Sequence, residues 1–151
     1  MSATAHFPAE LHYDVAHQTW ARPEADGSVT VGITALGIRL SGEIYMCRPK
    51  PVGQTVERGR SVAVVELAKS IVSVKSPVGG EVLAVNEGLA NEPERVHLDP
   101  YGSGWIARLA PSNWAADQAL LRHGEAAVAQ AMAHHAWLHR AELDDGERGT
   151  P

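Results

Sequence analysis

Cysteine is almost absent: Cys47 is the only one in 151 residues. A lone thiol closes no internal disulfide and completes no multi-cysteine metal site, so any redox or thiol chemistry must come from a partner or an attached group. Positive charge is also short. With 13 Lys+Arg against 18 Asp+Glu the net charge is -5, and no basic run exceeds a residue or two. That leaves no electrostatic footprint for a nucleic acid. Long apolar runs are missing too, and the opening MSATAHFPAELHYD has neither the basic start nor the apolar centre of a signal peptide. The expectation is a cytoplasmic protein with no membrane partner. No nucleophile elbow, glycine-rich phosphate loop or paired acid-base motif stands out, so the chain reads as non-catalytic.

What is present, at 44% hydrophobic and 21% charged residues, suits one soluble domain with its own core. The expected organisation is a flexible N-terminus over residues 1–10, a single domain over 11–143 and a flexible polar tail over 144–151. From Leu11 to Leu109, short β-branched runs alternate with Gly, Pro and Asp punctuation, the pattern of many short strands in a sandwich or small barrel. The clearest runs are Val29 to Ile33 after an Asp26-Gly27 turn, Ile44 to Met46, Ser61 to Glu66, Ile71 to Val74, Glu81 to Val85 and Trp105 to Leu109. Thr34 is placed to cap a helix through Ala35 to Leu40 that Gly42 ends. From Ser112 or Asn113 onward Ala and Leu recur at helical spacing, and Gly124 divides two expected helices. The fold class is therefore mainly β with C-terminal helices. A weak echo between SVAVVE and GGEVLAVNE, on either side of Lys69, suggests a quasi-symmetric hairpin.

Lys69 sits in a polar tip, Glu66 to Ser70, between two strand-like runs, ahead of Pro77-Val78-Gly79-Gly80, which reads as a turn. A lysine at such a tip has its backbone fixed by cross-strand bonds while its amine projects into water, the geometry an acylating enzyme needs. On composition alone a lysine there is a solubilising charge. Lys75, the other lysine of the hairpin, lies in a strand without an acid three residues before it and reads as a surface charge.

The run Val65 to Val82 resembles the lipoyl-lysine segment of the glycine cleavage H protein family, of the form V-E-S-x-K-x-x-S-x-x-x-P-V-x-G-E-V. It matches at Val65, Glu66, Lys69, Pro77, Val78, Gly80, Glu81 and Val82, with Glu66 three before the lysine and Gly80 eleven after it. The likeness extends to Val31-Gly32-Ile33-Thr34, Val52-Gly53 with Val56 and Gly59, Val85-Asn86-Glu87, and Asp99-Pro100-Tyr101-Gly102 with Gly104-Trp105, so it spans Tyr13 to Pro111. The resemblance implies a lipoyl-type barrel-sandwich hybrid, or hammerhead, with lipoic acid joined by an amide to Lys69, and Glu66 and Gly80 serving recognition by the ligase. Lysine stem and octanoyl chain would place the dithiolane about 14 Å from the backbone. It also implies a lipoate ligase or lipoyl transferase and a dihydrolipoamide dehydrogenase-like protein as partners. A biotin carrier also presents a hairpin lysine, but its usual methionine neighbours are replaced here by Ala68 and Ser70.

Departures from the family pattern bear on the cargo. H proteins shelter a cationic aminomethyl group beside acids, one of them four residues after the lysine, where this chain has Ser73. A second lies in a His-Glu-Trp segment, where this chain has His17-Gln18-Thr19-Trp20 with one residue inserted. Val15-Ala16-His17, Trp20-Ala21-Arg22-Pro23-Glu24, Lys50-Pro51-Val52-Gly53, Gly59-Arg60-Ser61-Val62-Ala63 and Pro111-Ser112-Asn113-Trp114 look more like the lipoate-binding proteins of bacterial sulfur oxidation. The lead expectation is accordingly a carrier of sulfur intermediates for a heterodisulfide-reductase-like system, with aminomethyl transfer to glycine cleavage enzymes as the alternative. A scaffold that has lost its arm is the third reading. His134, His135 and His139 include an i, i+4 imidazole pair, but no Glu or Cys completes a metal site, and they read with His123 as a wet helix face. Cys47 reads as a small packed hydrophobe; Trp20, Trp105 and Trp114 read as core and docking anchors, and Asp99 to Gly104 as a rigid turn.

Overall fold

The structure is a computed structural model in which residues 6–147 are described. Within them two antiparallel sheets face each other. The larger joins β1 (His12–Asp14), β2 (Thr19–Pro23), β3 (Val29–Ile33), β9 (Ala107–Pro111), β8 (Gly80–Val85) and β5 (Thr55–Val56), in that order. The smaller joins β4 (Met46–Pro49), β6 (Ser61–Glu66) and β7 (Ile71–Lys75). Helix α1 (Ala35–Ser41) follows β3, a short α2 (Arg95–Leu98) precedes β9, and α3 (Trp114–Gln118), α4 (Glu125–Leu138) and α5 (Arg140–Glu147) close the chain.

Local chemistry sets the element ends. Asp26 Oδ1 accepts from Ser28 N at 2.9 Å, and Gly27 takes φ 90°, so the chain reverses into β3. Every residue of β3 is buried. Thr34 Oγ1 then accepts from Gly37 N at 2.9 Å and caps α1, and Gly42 with φ 78° stops it. Val29, Val31, Val62, Val65, Val82, Ile106 and Leu109 pack between the sheets as one core. A second cluster, with Trp20, Leu36, Val128 and Met132, holds α4 against β1, β2 and α1. Trp20 is fully buried, and its indole Nε1 donates to Ile33 O and Pro100 O, both at 3.1 Å. Trp105 and Trp114 are partly buried against the two clusters.

Several expectations need correction. The strand expected at Ile44 to Met46 starts only at Met46, because Ile44 N donates to His97 Nε2 at 3.0 Å. The strand expected from Trp105 starts at Ala107, because Trp105 N is held by Gly102 O in the preceding turn. The echoing segments do not form one hairpin: SVAVVE is β6 and GEVLAV is β8, in different sheets. Among the described residues three helices, not two, follow the sheets. The third, α5, covers Asp144 to Glu147 of the expected tail, and the tail's last residues, 148–151, lie outside the described residues. Residues 1–5 of the expected flexible start also lie outside them, whereas Pro8 O accepts from Tyr13 Oη at 2.6 Å and His6 O from Tyr101 Oη at 2.5 Å.

Candidate functional site at the hairpin tip

Strands β6 and β7 pair from Ser61 with Lys75 to Glu66 with Ile71. Beyond that last pair Leu67 N donates to Ser70 O at 2.8 Å, so Ala68 and Lys69 form the reversal. Ala68, Lys69 and Ser70 are all exposed. The Lys69 backbone is thus fixed by the ladder beneath it, and its stem and amine stand clear of the protein. Ile71 and Val72 beside the tip remain 69% and 44% exposed, as does Tyr45 at 55%, whose N donates to Glu66 O at 2.8 Å. The tip is therefore rimmed by apolar surface of the kind that protein contacts use.

Glu66 lies at the same end. Its carboxylate accepts from Arg48 Nε at 2.9 Å across the sheet, which fixes its direction on the outer face. Gly80 does not join them. The expectation of a tight turn there fails, because Gly80 is the first residue of β8, paired with Val56 on one side and Pro111 on the other. A Cβ at Gly80 would overlap the Ala110 carbonyl oxygen. The glycine is required by the close approach of β9, past the base of the hairpin and away from its tip. Lys75 ends β7 at that base.

A cleft of about 330 Å³ runs from the tip toward α1. Val65, Leu67, Val72 and Ser73 of the hairpin form one wall; Leu40 of α1, with Ile44, and the loop from Ala16 to Thr19 form the other. Ser73 does stand in this cleft, as its alignment with the family's acid requires. No Asp, Glu, Lys or Arg lines it. Gln18 is 5% exposed and spends its amide inward: Nε2 donates to Val15 O at 2.8 Å and meets Met132 Sδ at 3.2 Å, and Oε1 accepts from Thr34 Oγ1 at 2.5 Å. Its φ of 57° is the one left-handed non-glycine conformation among the described residues.

One pairing escaped the sequence reading. Asp14, 5% exposed, holds His17 twice, accepting from its backbone N at 3.1 Å and meeting Nδ1 at 2.9 Å. His17 is thus oriented on the cleft rim, and its other ring nitrogen makes no hydrogen bond among the described residues. The i, i+3 spacing across a turn was the available signal.

The remaining candidates hold no chemistry together. Cys47 is buried in β4, and burial pushes its thiol up to about 12, so it stays a neutral packing group. The rings of His135 and His139 lie 4.5 Å apart, but His139 Nδ1 faces Glu142 at 3.2 Å and His134 stacks on Trp137. No group of three metal-ligating side chains occurs among the described residues. His123 is not on that face; its ring stacks on His12 at 4.0 Å, against β1. Among the described residues no helix is long and apolar enough to cross a membrane.

Comparison with known proteins places this geometry. The family model of the glycine cleavage H-protein matches residues 11–145. The chain is 39% identical over 140 residues to glycine cleavage system H protein 2 of Aquifex aeolicus, covering 93% of this chain and 85% of that one. It is 48% identical over 109 residues to the glycine cleavage system H protein of Chromobacterium violaceum, covering 72% and 84%. The crystal structure of a glycine cleavage system H protein from Mycobacterium marinum superposes with a TM-score of 0.64 at 32% identity, over 70% of this chain and 87% of that chain. These relatives support the glycine-cleavage alternative; they lend nothing to the sulfur-oxidation likeness that led the sequence reading. Proteins of this family are non-catalytic carriers with lipoate attached covalently to a lysine. Sequence, fold and neighbours agree that the chain belongs to the glycine cleavage H-protein family.

Proposed function

We propose that the protein is a lipoyl-lysine carrier that takes lipoate on Lys69 and serves glycine cleavage enzymes as their aminomethyl carrier. The observation that carries the attachment site is the tip itself: an exposed lysine at the reversal of a paired hairpin, three residues after Glu66, beside an apolar cleft. The cleft suits an eight-carbon chain and its dithiolane, since its hairpin wall is Val65, Leu67 and Val72. When attached, the group supplies a dithiol-disulfide couple on a swinging arm. The chain's own residues do the rest. The ladder holds the Lys69 backbone still, Leu67 and Val72 offer the arm an apolar resting wall, and His17, backed by Asp14, presents a ring nitrogen at the rim. Tethering keeps the local concentration of the arm high at each partner in turn. The partners are a lipoate ligase or lipoyl transferase and the glycine cleavage enzymes, with a dihydrolipoamide dehydrogenase-like protein to reoxidise the dithiol.

The test is intact mass and peptide mapping after coexpression with a lipoate ligase. Lys69→Arg should abolish lipoylation and leave the circular dichroism spectrum unchanged, because the tip is exposed and Arg keeps the charge. Lipoate found at Lys50 or Lys75 in that variant would overturn the assignment.

One observation favours a second cargo. The cleft has no carboxylate, and Gln18 is locked inward. A neutral sulfur species would lose nothing there, whereas a cationic amine gains no charged partner. On this reading the same Lys69 arm would serve a heterodisulfide-reductase-like system.

A further inference from the structure

At the end of the hairpin opposite Lys69, strand ends bring three cations into one recess with a single acid, Glu57. Lys50 follows β4, Arg60 precedes β6 and Lys75 ends β7, and the order β4-β6-β7 makes these three ends neighbours. Their side chains line one recess of about 430 Å³ with Thr55, Ser61 and Glu57. The backbone beneath is fixed. Lys50 N donates to Val62 O at 2.9 Å, Ser76 N to Arg60 O at 2.7 Å and Gly59 N to Ser76 O at 2.8 Å, while Lys75 pairs with Ser61.

None of the three cations makes an ion pair among the described residues, not even with Glu57 of the same recess. By contrast, Arg22, Arg48 and Arg95 each hold a glutamate, at 3.0, 2.9 and 2.5 Å. A chain with 18 acids for 13 bases has acids to spare, yet this recess is left positive. Converging like charges repel, and an anion that reaches all of them at once removes that repulsion.

We propose that this recess binds a small, multiply charged oxyanion of the phosphate or diphosphate class. The lining contains no aromatic ring on which a base or sugar could stack, so the anionic group itself is what is read. The three cations line the same recess, so a small anion that enters it is placed among them. From Ser61 to Glu66 the strand alone runs five residue steps, about 16 Å at about 3.3 Å per residue, and the Lys69 reversal lies beyond it, so the recess is farther away than the arm's reach of about 14 Å. The recess is therefore separate from the lipoyl cleft and independent of lipoylation. A bound anion would bridge the ends of three strands whose other ends carry the lysine tip, and would stiffen the base from which the arm swings.

The experiment is calorimetric titration of the full, unmodified chain with sodium diphosphate at constant ionic strength, followed in parallel by amide chemical shifts. The expected result is saturable one-to-one binding, with shifts confined to residues 50–61 and 75–76 and orthophosphate binding more weakly than diphosphate. The double variant Lys50→Gln with Lys75→Gln should bind at least about tenfold more weakly while keeping its circular dichroism spectrum. Arg140→Gln, which removes a cation of the C-terminal helices, should bind as the unmutated chain does. Failure to saturate by about 10 mM diphosphate, unchanged affinity in the double variant, shifts elsewhere on the surface, or tighter binding of an oligoglutamate peptide than of diphosphate would each overturn the proposal.

Discussion

Gly80 and Gly32 are held by their neighbours rather than by their own dihedral angles. A Cβ on Gly32 would lie 2.5 Å from the Trp20 ring, and one on Gly80 would enter the Ala110 carbonyl. Gly80→Val forces β8 and β9 apart at their first pair, and such overpacking costs about 2 to 3 kcal/mol. Lys75→Ala, at the edge of the recess, should stay within about 0.5 kcal/mol. Urea unfolding of the two variants measures this directly. A Gly80→Val protein as stable as the parent would show that β9 does not press on this residue. The comparison also bears on ligase recognition. If lipoylation of Gly80→Val falls only in proportion to its folded fraction, the glycine serves the sheet; if it falls in fully folded protein, the ligase reads Gly80 itself.

At the scale of elements, the join between the helices and the sheet holds a buried histidine. His12 on β1 stacks on His123 at 4.0 Å and meets the Trp114 ring edge at 5.0 Å. Its Nδ1 is buried without a partner, and His123 Nδ1 is engaged by Leu11 O at 2.9 Å. Burial, then the facing His123, pushes His12 down to about 4. The unfolded chain takes up this proton near pH 6.5 and the folded chain does not, so the folded state loses stability as pH falls from about 6.5 to about 4 and is unaffected above that window. The loss should reach about 3 kcal/mol, and His12→Asn should flatten it. Urea midpoints at several pH values in this range, read by tryptophan fluorescence, test the point; an equal slope in parent and variant would remove His12 as its cause.

This join also shows what the sequence could and could not reveal. Thr34, Gly42 and the β3 run announce themselves through local chemistry, and the structure keeps the β3 bounds and the start of α1, whose end moves one residue, from Leu40 to Ser41. The tip was legible too, because Glu66, Lys69 and Ser70 are close in sequence. What stayed hidden depends on contacts between distant segments. His12 and His123 meet across more than a hundred residues, Gly80 is defined by a strand thirty residues later, and the recess collects Lys50, Arg60 and Lys75 from three strand ends. Periodicity carries no record of such meetings. The first of the three also explains why His123 left the helix face on which spacing alone had put it.

The whole molecule can be viewed as a scaffold that presents the Lys69 tip at one end with a neutral cleft beside it, so the cargo question belongs at this scale. The relatives are glycine cleavage carriers, yet Ser73 and Gln18 leave this cleft without the charges that would hold an ammonium. Both can be true if transfer is retained and sheltering is weakened. The lipoylated protein should then support glycine-dependent reduction of its arm by a glycine decarboxylase. The aminomethyl group should be lost to water faster than from an H protein with an acid at the position of Ser73. Ser73→Asp places a carboxylate among Val65, Leu67 and Val72 in the cleft wall, and one charged hydrogen bond there is worth on the order of 1 to 2 kcal/mol. That corresponds to roughly a tenfold slower loss. Stopped-flow assay of arm reduction, with quantification of the retained aminomethyl group over time, measures both terms. Reduction at a rate comparable to an authentic H protein, with loss slowed in Ser73→Asp, supports the glycine-cleavage reading. No glycine-dependent reduction of a fully lipoylated, folded protein would remove that reading and leave the sulfur cargo, for which a neutral cleft carries no penalty.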